Sequence, residues 1–259
     1  MIDLTNICGF SLKVDESRGR IIFGDDVCCN CEQFVTLQDI IPVLLNQQLK
    51  YPENVYKEHK NIYERNTGNG SALTYDLLYI PYGLLGIEFI KTHIYQSEEV
   101  KEKYHCMVEL ISGEMMVVMQ KNVEKEDIFQ METYVEDMVI VKLMPGEKLA
   151  IPTGYMYTFV NIGLAPIIFA KISRKDQVPM DYGVLKRERG LAYYIISKNA
   201  KVEAVANPKY KINCPLINVT LRKLIKDEDL KNTYSPFDDN KSLFNFIRND
   251  DRIEDLIFF

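Results

Sequence analysis

From residue 72 to residue 172 the chain never runs long without a turn-former, and this spacing constrains the fold most. It divides into β-rich runs near 72–80, 86–96, 104–111, 115–120, 138–143, 148–151, 156–161 and 166–172. Ser112-Gly113, Pro145-Gly146 and Ile162-Gly163 separate several of them, as turn chemistry requires. Short strands at this spacing, with few helices between, define a sandwich or a closed barrel.

The flanking segments read less uniformly. Gly19 to Gly24 brackets a short strand, and residues 36–49 carry apolar positions at helical spacing, with Pro42 placed near the first turn. Residues 52–71 are polar and end in Asn66-Thr-Gly-Asn-Gly-Ser71, which reads as an exposed loop. Between Lys121 and Asp137 the charged run around Glu124-Lys-Glu-Asp127 reads as a solvated excursion between two strands. A strand pair is expected over 186–206, around Tyr193-Tyr-Ile-Ile196 and Val202-Glu-Ala-Val-Ala206. Leu216 to Leu230 and Ser242 to Ile247 have helical periodicity. The apolar end, Leu256-Ile-Phe-Phe259, is expected to pack back on the barrel or to form a dimer contact.

Composition narrows the class. The 259 residues carry a net charge of −6, which argues against a broad nucleic-acid or anionic-membrane surface. No apolar run approaches the roughly 20 residues that span a bilayer, and the N-terminus lacks the pattern of a signal peptide. The expectation is a cytoplasmic protein. Its six cysteines are then thiols rather than disulfides. Cys28, Cys29 and Cys31 cluster, and Cys28 and Cys31 have CxxC spacing, but only Cys8 lies near enough in sequence to extend them toward a four-ligand zinc site.

Six elements in register carry a family resemblance. They are Gly83-Leu-Leu-Gly86-Ile-Glu88 through Lys91-Thr92, Glu109-Leu-Ile-Ser-Gly113, Val160-Asn-Ile-Gly163, Pro166-Ile-Ile-Phe169, Asp181-Tyr-Gly183 and Asn207-Pro-Lys-Tyr210. Over residues 9 to 210 the chain resembles the cupin-type, archaeal-type glucose-6-phosphate isomerases. The resemblance implies an all-β fold: a cupin double-stranded β-helix (jelly-roll) barrel with an N-terminal helix and strand extension and a C-terminal helical segment. The corresponding division is 1–82 joining the barrel, 83–210 as the cupin core and 211–259 as the extension. In that family a divalent metal such as iron, manganese or nickel, held by three histidines and a glutamate, supports an aldose-to-ketose conversion in glycolysis or gluconeogenesis.

Transferred residue by residue, the resemblance implies a degenerate site. The two-histidine motif falls on Tyr95 and Ser97, the glutamate on Cys106 and the third histidine on Tyr157. A substrate-side histidine falls on Met180. Thr92, expected near a phosphate, and Tyr182, expected near the sugar, survive.

The chain has three histidines, His59, His93 and His105. His93 shares strand parity with Tyr95, so it is a pocket candidate beside Glu88, Gln120 and Met180. Cys106 with His93 is a conceivable nucleophile pair, against a neutral buried thiol filling the glutamate's space. The two tyrosines read as plugs in the volume once held by imidazoles and metal.

The expected cofactor is none. The expected function is a metal-free, catalytically degenerate or repurposed sugar-phosphate-binding protein, with an active isomerase using a non-standard ligand set as the alternative. The expected partners are a sugar phosphate and a second copy paired through barrel strands, with no nucleic acid and no membrane.

Overall fold

A computed structural model describes residues 1–8, 10–15, 18–65, 73–96, 104–126, 131–174, 183–212, 214 and 216–220. The first segment forms β1 (Ile2–Asp3), α1 (Thr5–Cys8), β2 (Leu12–Asp15), β3 (Arg20–Phe23) and β4 (Val27–Thr36). After α2 (Leu37–Ile40) and a 3-10 turn at Ile41–Val43 come β5 (Asn54–Glu64), β6 (Leu73–Ile80), β7 (Leu84–Leu85), β8 (Glu88–Phe89) and β9 (Tyr95–Gln96). Next follow β10 (Tyr104–Ser112), β11 (Met115–Glu126), β12 (Met131–Leu143), β13 (Lys148–Pro152), β14 (Met156–Asn161) and β15 (Ile167–Arg174). The described chain closes with α3 (Gly183–Glu188), β16 (Tyr193–Lys198), β17 (Lys201–Ala206), β18 (Lys211–Ile212) and β19 (Ile217–Thr220).

Two sheets face each other in a cupin jelly roll. One has the order β13-β10-β15-β6-β5-β4 and the other β18-β12-β11-β14-β9, with β19 also pairing β12. Their inward faces share one core, to which β10 gives Val108 and Leu110, β11 Met115, Val117 and Met119, β14 Tyr157 and Phe159, and β15 Ile167 and Phe169. Alternate residues of the six-stranded sheet, among them Leu77, Tyr79, Ile168, Ala170 and Ile172, face outward into a second cluster. Leu12, Val14 and Ile21 of the small β1-β2-β3 sheet cover that outer face. Both faces are thus apolar, which explains the dense hydrophobic runs from 166 to 172.

The chain passes between the facing sheets at Ser112-Gly113. Gly113 has φ of +91°, and a β-carbon there would lie 2.7 Å from Ile167 Cγ2 and 2.8 Å from the Pro166 carbonyl oxygen. Only glycine fits this crossing. Two asparagines tie the ends of the barrel. Asn161 donates to the carbonyls of Ile80, Pro81 and Ala165, and accepts from Gly163 N–H. Asn207 donates to the carbonyls of Glu188 and Leu191 just past α3. The Val-Asn-Ile-Gly and Asn-Pro motifs therefore satisfy backbone carbonyls that the loops would otherwise bury unpaired.

Four expectations need correction. Residues 54–64, read as loop, form the eleven-residue strand β5. The charged run after Lys121 extends the β11–β12 hairpin, whose register continues to Glu126 opposite Met131. The helix expected over 36–49 stops at Ile40 and a 3-10 turn, because Leu44 is extended and the Leu45 N–H turns to the Glu88 carboxylate. Ile217–Thr220, read as helix, is a strand parallel to β12. The helical reading of 221–259 lies outside the described residues.

Candidate functional site

Six strands and one loop converge inside the barrel. Tyr157 on β14 pairs directly with Tyr95 on β9, and their rings stack 5.2 Å apart at 18°. Tyr157 is fully buried and its hydroxyl lies 3.2 Å from the Cys106 thiol on β10. Phe159 and Phe169 continue the ring stack, with centroids 4.6 Å apart. His93, in the loop before β9, lies 4.1 Å from the Tyr95 ring. Three of the four positions implied to hold a metal thus meet as two phenols and a thiol. The fourth, Ser97, lies outside the described residues, as do Met180 and Tyr182.

The structure adds charged groups to this cluster. Glu58 of β5, almost fully buried, accepts from the Tyr95 hydroxyl at 3.1 Å and from Gln33 Nε2 at 2.9 Å, and pairs with Lys60 at 2.8 Å. The Tyr56 hydroxyl is hydrogen-bonded to His93 Nδ1 and lies 3.5 Å from Glu58. Lys171 of β15 places its ammonium 4.6 Å from the Tyr95 ring centroid and 3.9 Å from Asp76 of β6. Asp76 also accepts from Asn61 N–H at 2.8 Å.

Burial sets the protonation states. It pushes both Tyr95 and Tyr157 well above the usual phenol range. The Cys106 thiol is pushed up to about 11 by burial, although Lys171 and the Tyr157 hydroxyl oppose this. Burial likewise drives His93 down to about 4, keeping its ring neutral at pH 7. Glu58 is raised by burial but lowered further by His93, Lys60 and Lys171, so its carboxyl ends below its ordinary value. Burial raises Asp76, with Lys171 acting against it.

A divalent metal does not fit these donors. Metal ligands must lose protons, and Tyr95, Tyr157 and Cys106 all hold theirs more tightly than in water. The His93 Nδ1 is committed to Tyr56. Among the described residues no group of three or more histidine, cysteine, aspartate or glutamate side chains could hold a metal ion. That includes the Cys28, Cys29 and Cys31 cluster, where the Cys29 thiol donates to the carbonyls of Cys31 and Lys60 while Cys8 is buried. The Cys106 thiol has the Tyr157 hydroxyl as its hydrogen-bond partner, and burial disfavours the thiolate that a nucleophile pair with His93 would need.

The remaining candidates are tied into structure. Thr92, fully buried, accepts from Phe159 N–H at 3.1 Å, and its hydroxyl lies 2.8 Å from the His93 carbonyl and 3.1 Å from the Thr158 hydroxyl. Gln120 accepts from Ala192 N–H and donates to Asn122. Glu88 pairs with Lys91 and accepts from Leu45 N–H at 2.9 Å, while Lys91 donates to the Val43 carbonyl at 3.0 Å. His59 is buried on the other side of the strand, against Phe23.

Sequence reasoning missed Tyr56, Glu58, Asp76 and Lys171. A signal existed for the last: a single lysine interrupts the apolar run Ile167-Ile-Phe-Ala-Lys171-Ile172, and it has the inward parity of Ile167 and Phe169.

Fold and interior together define an all-β cupin barrel whose polar centre consists of phenols, a thiol and paired charges. A family model for glucose-6-phosphate isomerase (GPI) matches residues 38–212, and the chain belongs to that family. It is 28% identical over 129 residues to a glucose-6-phosphate isomerase of Pyrococcus furiosus, covering 48% of this chain and 65% of the relative. Against the Pyrococcus abyssi enzyme it is 34% identical over 71 residues, covering 27% and 36%. The chain thus spans less than two thirds of the length of these curated relatives. Similar solved structures include a Bacillus subtilis oxalate decarboxylase, with TM-score 0.31 and 14% identity over 51% of this chain and 29% of that one. Another is peruvianin-I, a cysteine peptidase from Thevetia peruviana latex, with TM-score 0.25 and 20% identity over 40% and 52%.

Proposed function

We propose that this glucose-6-phosphate isomerase-like cupin is metal-free and catalytically degenerate, repurposed to bind a sugar phosphate. The observation that carries this reading is the stacking of Tyr95 on Tyr157 and the contact of Tyr157 with Cys106, at the positions where the family resemblance implies ligands. Family metal chemistry stabilises the negative charge that develops on the sugar's oxygens. Buried neutral phenols and a neutral thiol are poor substitutes for that cation.

The competing reading, an active aldose–ketose isomerase with other groups, draws on Glu58, His93 and Lys171, which are capable of acid–base work. Against it, both Glu58 oxygens are already engaged by Tyr95, Gln33 and Lys60, and its carboxyl is held below the ordinary range. Such a carboxylate is a weak base for a sugar carbon acid.

The same reading places the protein in the cytoplasm as a homodimer joined through barrel strands. β4 supports this arrangement, because it ends the six-stranded sheet and bears the exposed Cys31 and Phe34. Among the described residues no helix is long and apolar enough to cross a membrane.

The test combines three measurements on the purified chain. These are bound metal, fructose 6-phosphate formation with manganese, iron, nickel or zinc added, and thermal stabilisation by glucose 6-phosphate or fructose 6-phosphate. No metal and no turnover, with stabilisation by a sugar phosphate, is the expected outcome. Stoichiometric metal with turnover overturns the reading, and turnover without metal favours the competing one.

A further inference from the structure

Among the described residues, the barrel interior contains two buried carboxylates, Asp76 and Glu58, and buried anions need a compensating positive charge. Lys60 pairs with Glu58 from a half-exposed position. Among the described residues Lys171 is the cation inside: its side chain is only 10% exposed, and it approaches the barrel centre from the strand that pairs with both β10 and β6. In register it lies opposite Asp76 on one side and Val108 on the other, two residues along from Cys106.

Its ammonium rests over the face of Tyr95, one of the implied ligand positions, and acts electrostatically on Cys106, another. It also acts on Glu58 and His93. Among the described residues its nearest carboxylate is Asp76 at 3.9 Å, which is an ion pair but too long for a hydrogen bond. An ammonium carries three N–H donors, and neither the Tyr95 ring face nor a carboxylate at that distance gives them an oxygen at bonding length.

We infer that Lys171 is the built-in cation of this barrel, standing in for the family's metal and offering its N–H groups to the hydroxyl or carbonyl oxygens of a polyhydroxylated anionic ligand. The inference rests on the metal-free reading of the site and names the residue responsible for it. One ammonium balances Asp76 and repels a divalent ion. It also presents positive charge toward ligand oxygens without any need for deprotonated protein ligands.

The test uses the full-length chain with Lys171→Met, which keeps the volume and removes the charge, and Lys171→Arg, which keeps the charge. Manganese and nickel chlorides are titrated into each, with the shift in melting temperature and isothermal calorimetry as readouts. Lys171→Met, shown folded by its circular dichroism, is expected to bind the metal at least about tenfold more tightly than the wild type, because Asp76 then lacks its cation while Glu58 keeps Lys60. Lys171→Arg is expected to behave as the wild type does. Equal metal binding by wild type and Lys171→Met overturns the role of Lys171 and leaves the metal-free reading standing. Stoichiometric tight metal in the wild type overturns both.

Glucose 6-phosphate, with EDTA present, is titrated in parallel. Stabilisation of the wild type that disappears in Lys171→Met and persists in Lys171→Arg supports the ligand role. Equal stabilisation of the wild type and Lys171→Met overturns it. If Lys171→Met does not fold, Lys171→Arg decides: its charge must preserve both the metal indifference and the sugar-phosphate response of the wild type, and loss of either contradicts the inference.

Discussion

Lys91→Met is expected to be among the most destabilising single substitutions outside the apolar core. Glu88 is 1% exposed and Lys91 4%, so both charges are out of water. The pair also anchors the segment after α2, since Glu88 accepts the Leu45 N–H and Lys91 donates to the Val43 carbonyl. Methionine fills the space of the lysine stem but leaves the Glu88 carboxylate buried with a single backbone donor and the Val43 carbonyl without one. Removing one partner of a buried pair costs about 3–5 kcal/mol. For a chain of this size each kcal/mol lowers the melting temperature by roughly 2–4 °C, so a drop of about 10 °C is expected. Glu88→Gln added to Lys91→Met removes the orphaned charge and keeps an acceptor for Leu45, and at least half of the loss should return. The assay is urea unfolding of the wild type, both single variants and the double variant, followed by circular dichroism with slopes compared. A Lys91→Met cost below about 1 kcal/mol, the range of an exposed pair, would refute the reasoning. A double variant no more stable than Lys91→Met would do the same.

Three further outcomes follow from the barrel interior. Tyr157→His combined with Cys106→Glu should yield neither metal binding nor isomerase turnover, measured by calorimetry and by fructose 6-phosphate formation, because Tyr95 and Ser97 still supply no imidazole. His93 is held neutral in the folded chain down to about pH 4, whereas an unfolded histidine protonates near 6.5. The unfolded state therefore takes up the proton first as pH falls, and stability should decline between about pH 6.5 and 4. His93→Gln should flatten that part of a stability profile measured by urea unfolding. Cys106, raised to about 11 and fully buried, should resist iodoacetamide at pH 8 in the folded protein, while the exposed Cys31 is labelled; peptide mass spectrometry distinguishes them.

The strands of the barrel were legible because their turns are marked by Gly113, Pro145-Gly146 and Gly163, and because their apolar runs are short. β5 was not, because its polarity looks like solvation. In the fold Lys57 pairs with Glu32 of β4, while Glu58 turns inward to Tyr95, so charged residues are buried on both faces of one strand. The helix after Thr36 looked longer than it is because its apolar spacing continues past Val43. What ends it is a carboxylate 43 residues away, which no local pattern contains.

The convergence of Tyr95, Cys106 and Tyr157 could be read from motif positions alone. The roles of Glu58, Asp76 and Lys171 required the sheet order, since they come from three strands whose pairing brings residues about a hundred apart into contact. A lysine with inward parity amid apolar neighbours was the one local trace of that arrangement.

The proposed replacement of the family's metal site by tyrosines, a thiol and an internal lysine is open to direct measurement. Its most direct test is the metal content of the purified protein after incubation with excess manganese or nickel and removal of free ion, read by mass spectrometry alongside isomerase turnover. Substoichiometric metal and no turnover are predicted. One tightly held metal per chain, with conversion of glucose 6-phosphate to fructose 6-phosphate, would contradict it.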